Sequence, residues 1–221
     1  MKIKLILFDI DNTLVYGEAA SQYYQQYPPL LEKTLASCLG ISAGEAKRIA
    51  DKHRKIFNGR GEKAFEVYGI GLPEWYEAIC SLDPRAFIGE MPQVQSLLHS
   101  LKELGYELGA ITDGPIEQAV RILSCAGINE GVFSLFIGWT RGGMMPKGGE
   151  KQIFKKIIAE KKLKPEEILM VGDSVNTDIL PARQCGMNVL HVGGNGTSKF
   201  FSIPSVEELL KYLEKYEQKE K

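Results

Sequence analysis

Near the start of the chain an apolar run, Leu5-Ile6-Leu7-Phe8, gives way to two carboxylates one residue apart, Asp9 and Asp11, and then to Asn12 and Thr13. A buried strand that stops on an acidic pair brings negative charge to the edge of a sheet. That is costly unless a metal ion, a proton or a covalent intermediate uses it. Groups of similar chemistry follow the later apolar runs. They are Thr112 with Asp113 and Gly114, then Thr140 and Arg141 with Pro146 and Lys147, then Gly172 with Asp173, Ser174, Asn176, Thr177 and Asp178.

The runs themselves read as strands over Lys4–Phe8, Glu107–Ile111, Leu135–Gly138, Ile168–Val171 and Asn188–Val192. Helical patterns separate the later ones, over Met91–Leu104, Ile116–Ala126, Glu150–Glu160 and Thr177–Cys185, and Gly105, Gly127 and Gly186 fit C-terminal caps. Strands alternating with helices imply right-handed crossovers, hence an α/β fold with a doubly wound parallel sheet. The segment from Tyr16 to Phe87 breaks the rhythm. It reads as helices over Glu18–Leu39, Ser42–Phe57, Gly61–Tyr68 and Pro73–Ser81, with Tyr27-Pro28-Pro29 marking a kink or break and Ser42 with Glu45 a capping box. An amphipathic helix is expected from Ser205 to Lys221. The expected organisation is a core of residues 1–15 and 88–221 with a helical insertion over 16–87.

In an open parallel sheet, ligands bind beyond the carboxyl ends of the strands. Hydroxyls, a lysine and several carboxylates would therefore converge on one edge. Crowded carboxylates call for a cation, and hard oxygen ligands favour Mg²⁺. With a phosphate ester present, one aspartate would attack phosphorus and a second would exchange a proton with the leaving oxygen. Thr112 and Lys147 would hold the non-bridging oxygens.

These residues together resemble the haloacid dehalogenase-like (HAD) hydrolase superfamily in its phosphatase branch. The motifs lie in order along nearly the whole chain: Asp9-Ile10-Asp11-Asn12-Thr13, a strand ending in Thr112, Lys147 before a helix, and Gly172-Asp173-Ser174-Val175-Asn176-Thr177-Asp178. The phrasing is similar to phosphoglycolate phosphatase and pyrimidine 5'-nucleotidase-like members. The resemblance implies a Rossmann-like core with a type 1 helical cap that closes over the site. It implies Asp9 as nucleophile, Asp11 as general acid and base, and Thr112, Asp113 and Lys147 as phosphoryl-binding residues. It implies Mg²⁺ held by Asp9, the backbone carbonyl of Asp11 and Asp173, with Asp178 a ligand through water or a support for Lys147.

Two positions depart from the family pattern. Lys147 is followed by Gly148, Gly149 and Glu150 rather than Asp-Pro, and Asp113 stands where many relatives carry Asn. The second departure adds a carboxylate beside the phosphate site, which would either alter the hydrogen bonding of Asp9 or discourage highly anionic substrates. Asp113 also reads as the N-cap of the helix that begins near Pro115. Arg141 reads as a surface residue, and Gly142, Gly143, Gly148 and Gly149 as a turn, since no GK[ST] completes a P-loop. Tyr16, Tyr23, His53, Arg54, Arg60 and Lys63 in the helical segment read as packing or surface residues ahead of substrate contacts.

Rival readings use the same residues. A dehalogenase would use Asp9 on carbon without metal, and its relatives lack an acid at the position of Asp11. A phosphonatase would need a Schiff-base lysine such as Lys52, Lys55 or Lys63. A phosphomutase would differ in how well the cap excludes water. A phospho-accepting receiver domain would be shorter, with its acidic pair and its phospho-acceptor on different strands.

Composition narrows the partners. A net charge of −1 over 221 residues is no basic excess, so nothing in it suggests nucleic acid as a partner. No apolar run approaches membrane-spanning length, and the first is too short for a signal peptide. The widely spaced Cys38, Cys80, Cys125 and Cys185 read as reduced thiols of a cytoplasmic protein. The resemblance implies a small phosphate ester as substrate, and the protein is expected as a monomer or homodimer.

Overall fold

The strand that carries the acidic pair lies at the centre of the sheet. In the computed structural model, which describes residues 2–57, 59–143, 145–147, 151–193 and 200–219, β1 (Leu5–Phe8) pairs in parallel with β2 (Glu107–Pro115) on one side and β4 (Ile168–Gly172) on the other. With β3 (Leu135–Trp139), β5 (Asn188–Val192) and β6 (Ser202–Ile203), the order is β3-β2-β1-β4-β5-β6, all parallel. The chain order reverses about β1, so the crevice at the carboxyl ends of β1, β2 and β4 is the topological switch point.

β1 has no solvent-facing side, which is why it reads as a continuous apolar run rather than an alternation. Its side chains still divide by face. Ile6 and Phe8 join a core with Val94, Leu98, Ile122 and Leu123, whereas Leu5 and Leu7 join Phe154, Ile157, Met170 and Met187. The first face is covered by helices over Pro92–Glu103 and Ile116–Cys125 and the second by one over Gln152–Lys161. Each fully buried side chain of β1 is worth about 1.5–3 kcal/mol relative to exposure.

Among its described residues the inserted segment has five α-helices, α1 (Glu18–Tyr24), α2 (Tyr27–Leu39), α3 (Ala43–Ile56), α4 (Lys63–Val67) and α5 (Pro73–Cys80), and a 3₁₀ turn at Pro84–Ala86. They build a further apolar cluster around Leu35, Ala50, Phe65, Trp75 and Tyr76, and Trp139 from β3 reaches into it. Ser42 caps α3, and the reciprocal bonds with Glu45 complete the box. The helix expected over Glu18–Leu39 is two helices, because Gln25 and Gln26 separate α1 from α2 and prolines occupy the start of the second. Pro28 and Pro29 are tolerated there because the first turn of a helix does not need their missing N–H groups.

Three further boundaries differ from those expected. β2 continues past Ile111 to Pro115, with a register shift against β3 between those residues, so Thr112, Asp113 and Gly114 lie in an irregular stretch of the strand. The helix expected over Thr177–Cys185 begins as a π-helical turn at Val175–Ile179, closed by Ile179 N–H donating to the Ser174 carbonyl, before an α-helical turn at Leu180–Gln184. β6 is a two-residue strand that the apolar pattern does not announce. Gly148 and Gly149, expected in a turn, Glu150, the expected start of a helix, and Lys221, the expected end of the C-terminal helix, lie outside the described residues; the C-terminal helix is described over Leu209–Lys219. Among the described residues, no helix is long and apolar enough to cross a membrane.

Candidate active site

Beyond Phe8 the chain turns back sharply. The amides of Leu14 and Val15 both donate to the carbonyl of Ile10, Asn12 donates to Val15, and Asn12 adopts a left-handed backbone at φ 59°. Asn tolerates that region better than most residues, so its place after Asp11 has a conformational reason. The turn leaves Asp9 on the sheet end and Asp11 two residues further out, nearer the helical segment.

Lys147 completes the centre. Its ammonium donates to Asp178 Oδ1 at 2.7 Å and also contacts Asp9 Oδ1. All three side chains are buried. Asp178 Oδ2 accepts from the backbone N–H of Ser174 at 3.1 Å, so this carboxylate ties the lysine to the loop that carries Asp173. The fit depends on Gly172, where a Cβ would stand 2.4 Å from Asp178 Oδ2. Thr13 donates weakly to Asp9 Oδ2 at 3.4 Å.

Thr112 is buried, and its Oγ1 accepts from Gly114 N–H at 2.9 Å within the irregular end of β2. Asp113 does not cap the following helix as expected. That helix starts after Pro115 without a side-chain cap, and Asp113 Oδ1 instead accepts from the backbone N–H of Lys147 at 2.6 Å. The additional carboxylate is therefore the clamp that fixes the loop bearing the lysine. A capping pattern cannot reveal this, because the partner is a backbone amide 34 positions away.

The electrostatics are dominated by burial of like charge. Desolvation holds the Asp9 carboxyl well above the ordinary aspartate value despite the opposing charge of Lys147. Burial likewise raises Asp11, with the Tyr24 hydroxyl and Lys147 acting against it, and raises Asp173 to about 6, with Asp178 adding to the effect. Asp9, Asp173 and Asp178 each present an oxygen within 4.8 Å of the others. One lysine cannot balance these carboxylates and Asp11 together. A hard, all-oxygen donor set short of positive charge fits Mg²⁺.

The helical segment contributes an aromatic group in which Tyr23, expected to pack rather than meet substrate, is joined by Tyr24 and Tyr27. Tyr23, Tyr24 and Tyr27 meet edge to face with ring centroids 5.5–5.9 Å apart, and the Tyr24 hydroxyl faces Asp11. Their spacing at i, i+1 and i+4, directly after the first motif, was the available signal. Gln118, on the helix over Ile116–Cys125, ties this group to that helix by bonding both the Tyr23 hydroxyl and the Leu82 carbonyl. Apart from Arg60, the remaining residues weighed in the segment are engaged elsewhere. His53 donates or accepts at the Ile49 carbonyl and stacks on Phe57, Arg54 pairs with Glu32 and Asp51, and Tyr16 bonds Glu207. Arg141 is exposed and pairs with Glu77. Lys52 and Lys55 are exposed and Lys63 pairs with Glu66, so none of them supplies the desolvated amine a Schiff base requires.

A parallel sheet with a buried Asp–Lys–Asp set at its switch point, and hydroxyl and carboxylate side chains around it, is an α/β protein with a candidate site beyond the carboxyl ends of its strands. The model of the haloacid dehalogenase-like hydrolase family matches residues 3–186, and the chain belongs to that family. It is 35% identical over 198 residues to a glyceraldehyde 3-phosphate phosphatase of Pyrococcus furiosus, covering 86% of this chain and 80% of the relative. It is 26% identical to a phosphoglycolate phosphatase of Vibrio parahaemolyticus, over 83% of this chain and 81% of that one. Among solved structures it is similar to a HAD phosphatase from Thermococcus onnurineus, with a TM-score of 0.66 at 25% identity, covering 96% of this chain and 98% of that one.

Proposed function

We propose that this HAD-like hydrolase is a Mg²⁺-dependent phosphatase that cleaves a small-molecule phosphomonoester through an aspartyl-phosphate on Asp9. The observation that carries the reading is the buried set of Asp9, Lys147 and Asp178 beside Thr112, at the open end of β1 and β2. Its relatives named as phosphatases support the same chemistry.

In this reading Asp9 attacks phosphorus, and the bond to the leaving oxygen breaks as Asp11 supplies a proton to that oxygen. Asp11 suits the task because its burial favours the protonated form that an acid must hold at the start. Asp11 then takes a proton from the water that attacks the phosphoryl group on Asp9, which regenerates the free carboxylate. Lys147 and Thr112 hold the non-bridging oxygens, the lysine as a fixed buried charge whose own partners keep it protonated. Asp178 holds Lys147 in place, since its two oxygens are taken by the ammonium and the Ser174 amide. Asp9, the Asp11 carbonyl and Asp173 would hold Mg²⁺, which neutralises the carboxylates and the incoming phosphoryl oxygens. The helical segment over 16–87 acts as a cap that keeps bulk water from the reacting atoms.

The test is hydrolysis of p-nitrophenyl phosphate. Wild type with Mg²⁺ turns over, EDTA stops it, added Mg²⁺ restores it, and Asp9→Asn is inert. Activity indifferent to chelator, or retained by Asp9→Asn, would overturn the assignment.

A further inference from the structure

Arg60, in the link between α3 and α4, carries a largely covered guanidinium, its side chain 13% exposed, that is only partly used. Its Nε donates to Glu62 Oε1 at 2.8 Å, and its Nη2 lies 3.2 Å from the sulfur of Met145 and 3.8 Å from Asp113 Oδ2. Its Nη1 is buried with no hydrogen-bond partner. A buried donor on a charged group is costly to leave unpaired, so such an atom in a native fold asks for an occupant.

The location says what the occupant is attached to. Asp113 adjoins Thr112 and accepts from the Lys147 amide, and Met145 lies two residues before Lys147. Arg60 thus reaches from the helical segment onto both loops that carry the phosphoryl-binding side chains. A leaving group that extends from a phosphoryl held by Thr112 and Lys147 toward the helical segment would approach the two loops on which this guanidinium rests. The charge around it says what kind of group that is. One guanidinium stands between two carboxylates, Glu62 and Asp113, so its positive charge is already compensated. A carboxylate or second phosphate brought to Nη1 would meet that excess of negative charge, whereas a neutral oxygen acceptor would not.

We infer that Arg60 is a specificity-determining residue whose Nη1 donates to a hydroxyl or carbonyl oxygen of an uncharged polar leaving group, and that Asp113 selects against leaving groups bearing a carboxylate. The inference rests on the phosphatase reading and narrows it to phosphate esters of small polar, uncharged alcohols. It also gives Asp113 a use that Asn at the same position would not have. Asn could still accept from the Lys147 amide, but it would carry no charge to repel an anion.

The experiment compares kcat/KM for glyceraldehyde 3-phosphate, glycerol 3-phosphate, phosphoglycolate and p-nitrophenyl phosphate, all with Mg²⁺. Wild type is expected to prefer the two uncharged polar leaving groups over phosphoglycolate by about tenfold or more. Arg60→Ala is expected to lower the ratio of glyceraldehyde 3-phosphate to p-nitrophenyl phosphate by about tenfold, chiefly through KM, with Arg60→Lys recovering part of it. Asp113→Asn is expected to narrow the gap between phosphoglycolate and the uncharged esters. Preference of wild type for phosphoglycolate, a result that needs no variant to fold, overturns the inference. So does a ratio unchanged within twofold in Arg60→Ala. Turnover of p-nitrophenyl phosphate with the wrong preference removes this inference alone, while no turnover of any ester removes the phosphatase reading and the inference with it.

Discussion

Lys147 and Asp178 form an ion pair of 2.7 Å in which the lysine side chain is 5% exposed and the aspartate 0%. The same ammonium contacts Asp9, so a single cation serves two buried carboxylates from the ends of different strands. Replacing Lys147 by Met removes that charge and leaves both aspartates facing an apolar stem. Breaking a buried pair in this way costs about 3–5 kcal/mol. Urea denaturation of the metal-free protein at neutral pH is expected to show that loss, and Mg²⁺ is expected to restore stability only in part. A variant as stable as wild type would show that the pair carries no structural weight.

The raised carboxyl groups give the metal-free protein an unusual dependence on pH. Burial holds Asp173 at about 6 in the folded chain, against an ordinary value of 3.8, and Asp9 and Asp11 are raised in the same sense. Between the two Asp173 values the folded chain binds more protons at that group than the unfolded one, so the Asp173 contribution to stability falls as pH rises and is lost above about 6. Mg²⁺ binds the ionised carboxylates and reverses the loss. The gap between urea midpoints with Mg²⁺ and with EDTA is therefore expected to widen as pH rises through about 6. A gap independent of pH would argue against these carboxylates as the metal-binding set.

Gly172 is required by contact rather than by backbone conformation. A methyl group there would stand 2.4 Å from Asp178 Oδ2 and 2.7 Å from its Cβ. Gly172→Ala is expected to displace Asp178, cost about 1–3 kcal/mol in stability, and lower kcat at least a hundredfold through Lys147. Thermal denaturation and turnover of p-nitrophenyl phosphate measure the two effects. Full activity in a folded variant would show that the Asp178–Lys147 contact does not govern the chemistry.

Trp139 joins the sheet to the helical segment. It leaves β3 yet packs in the apolar cluster of α2–α5, edge-on to Tyr76 with ring centroids 4.9 Å apart, and Tyr76 in turn bonds Glu117. Trp139→Ala is expected to cost about 3–5 kcal/mol and to raise KM as the helical segment loses its seat. A loss under about 1 kcal/mol with KM unchanged would show that the segment is held by other contacts.

The parts legible in the sequence are those fixed by short-range patterns. Buried runs such as Leu5–Phe8 and Ile168–Val171 announce central strands, and side chains just beyond them must share an edge. The Ser42–Glu45 box marks the start of α3 because both partners lie within one turn. What stayed hidden depends on distant partners. Asp113 reads as a cap until the Lys147 amide is brought to it, and Arg60 reads as a surface residue until Met145 and Asp113 lie beneath it. The π-helical turn at Val175–Ile179 has no pattern of its own, since its one extra residue per turn serves to bring Asp178 back over Gly172. β6, with two residues, is too short to carry any periodicity.

The central claim is that Asp9 accepts the phosphoryl group, and acid-quenched turnover followed by peptide mass spectrometry tests it most directly. With Mg²⁺ and a substrate that wild type hydrolyses, a phosphoryl adduct is expected on the peptide containing Asp9, absent from Asp9→Asn and from the EDTA control. Trapping with Asp11→Asn is expected to accumulate more of it if the second step slows. Turnover with no adduct on that peptide, together with activity in Asp9→Asn, would contradict the account.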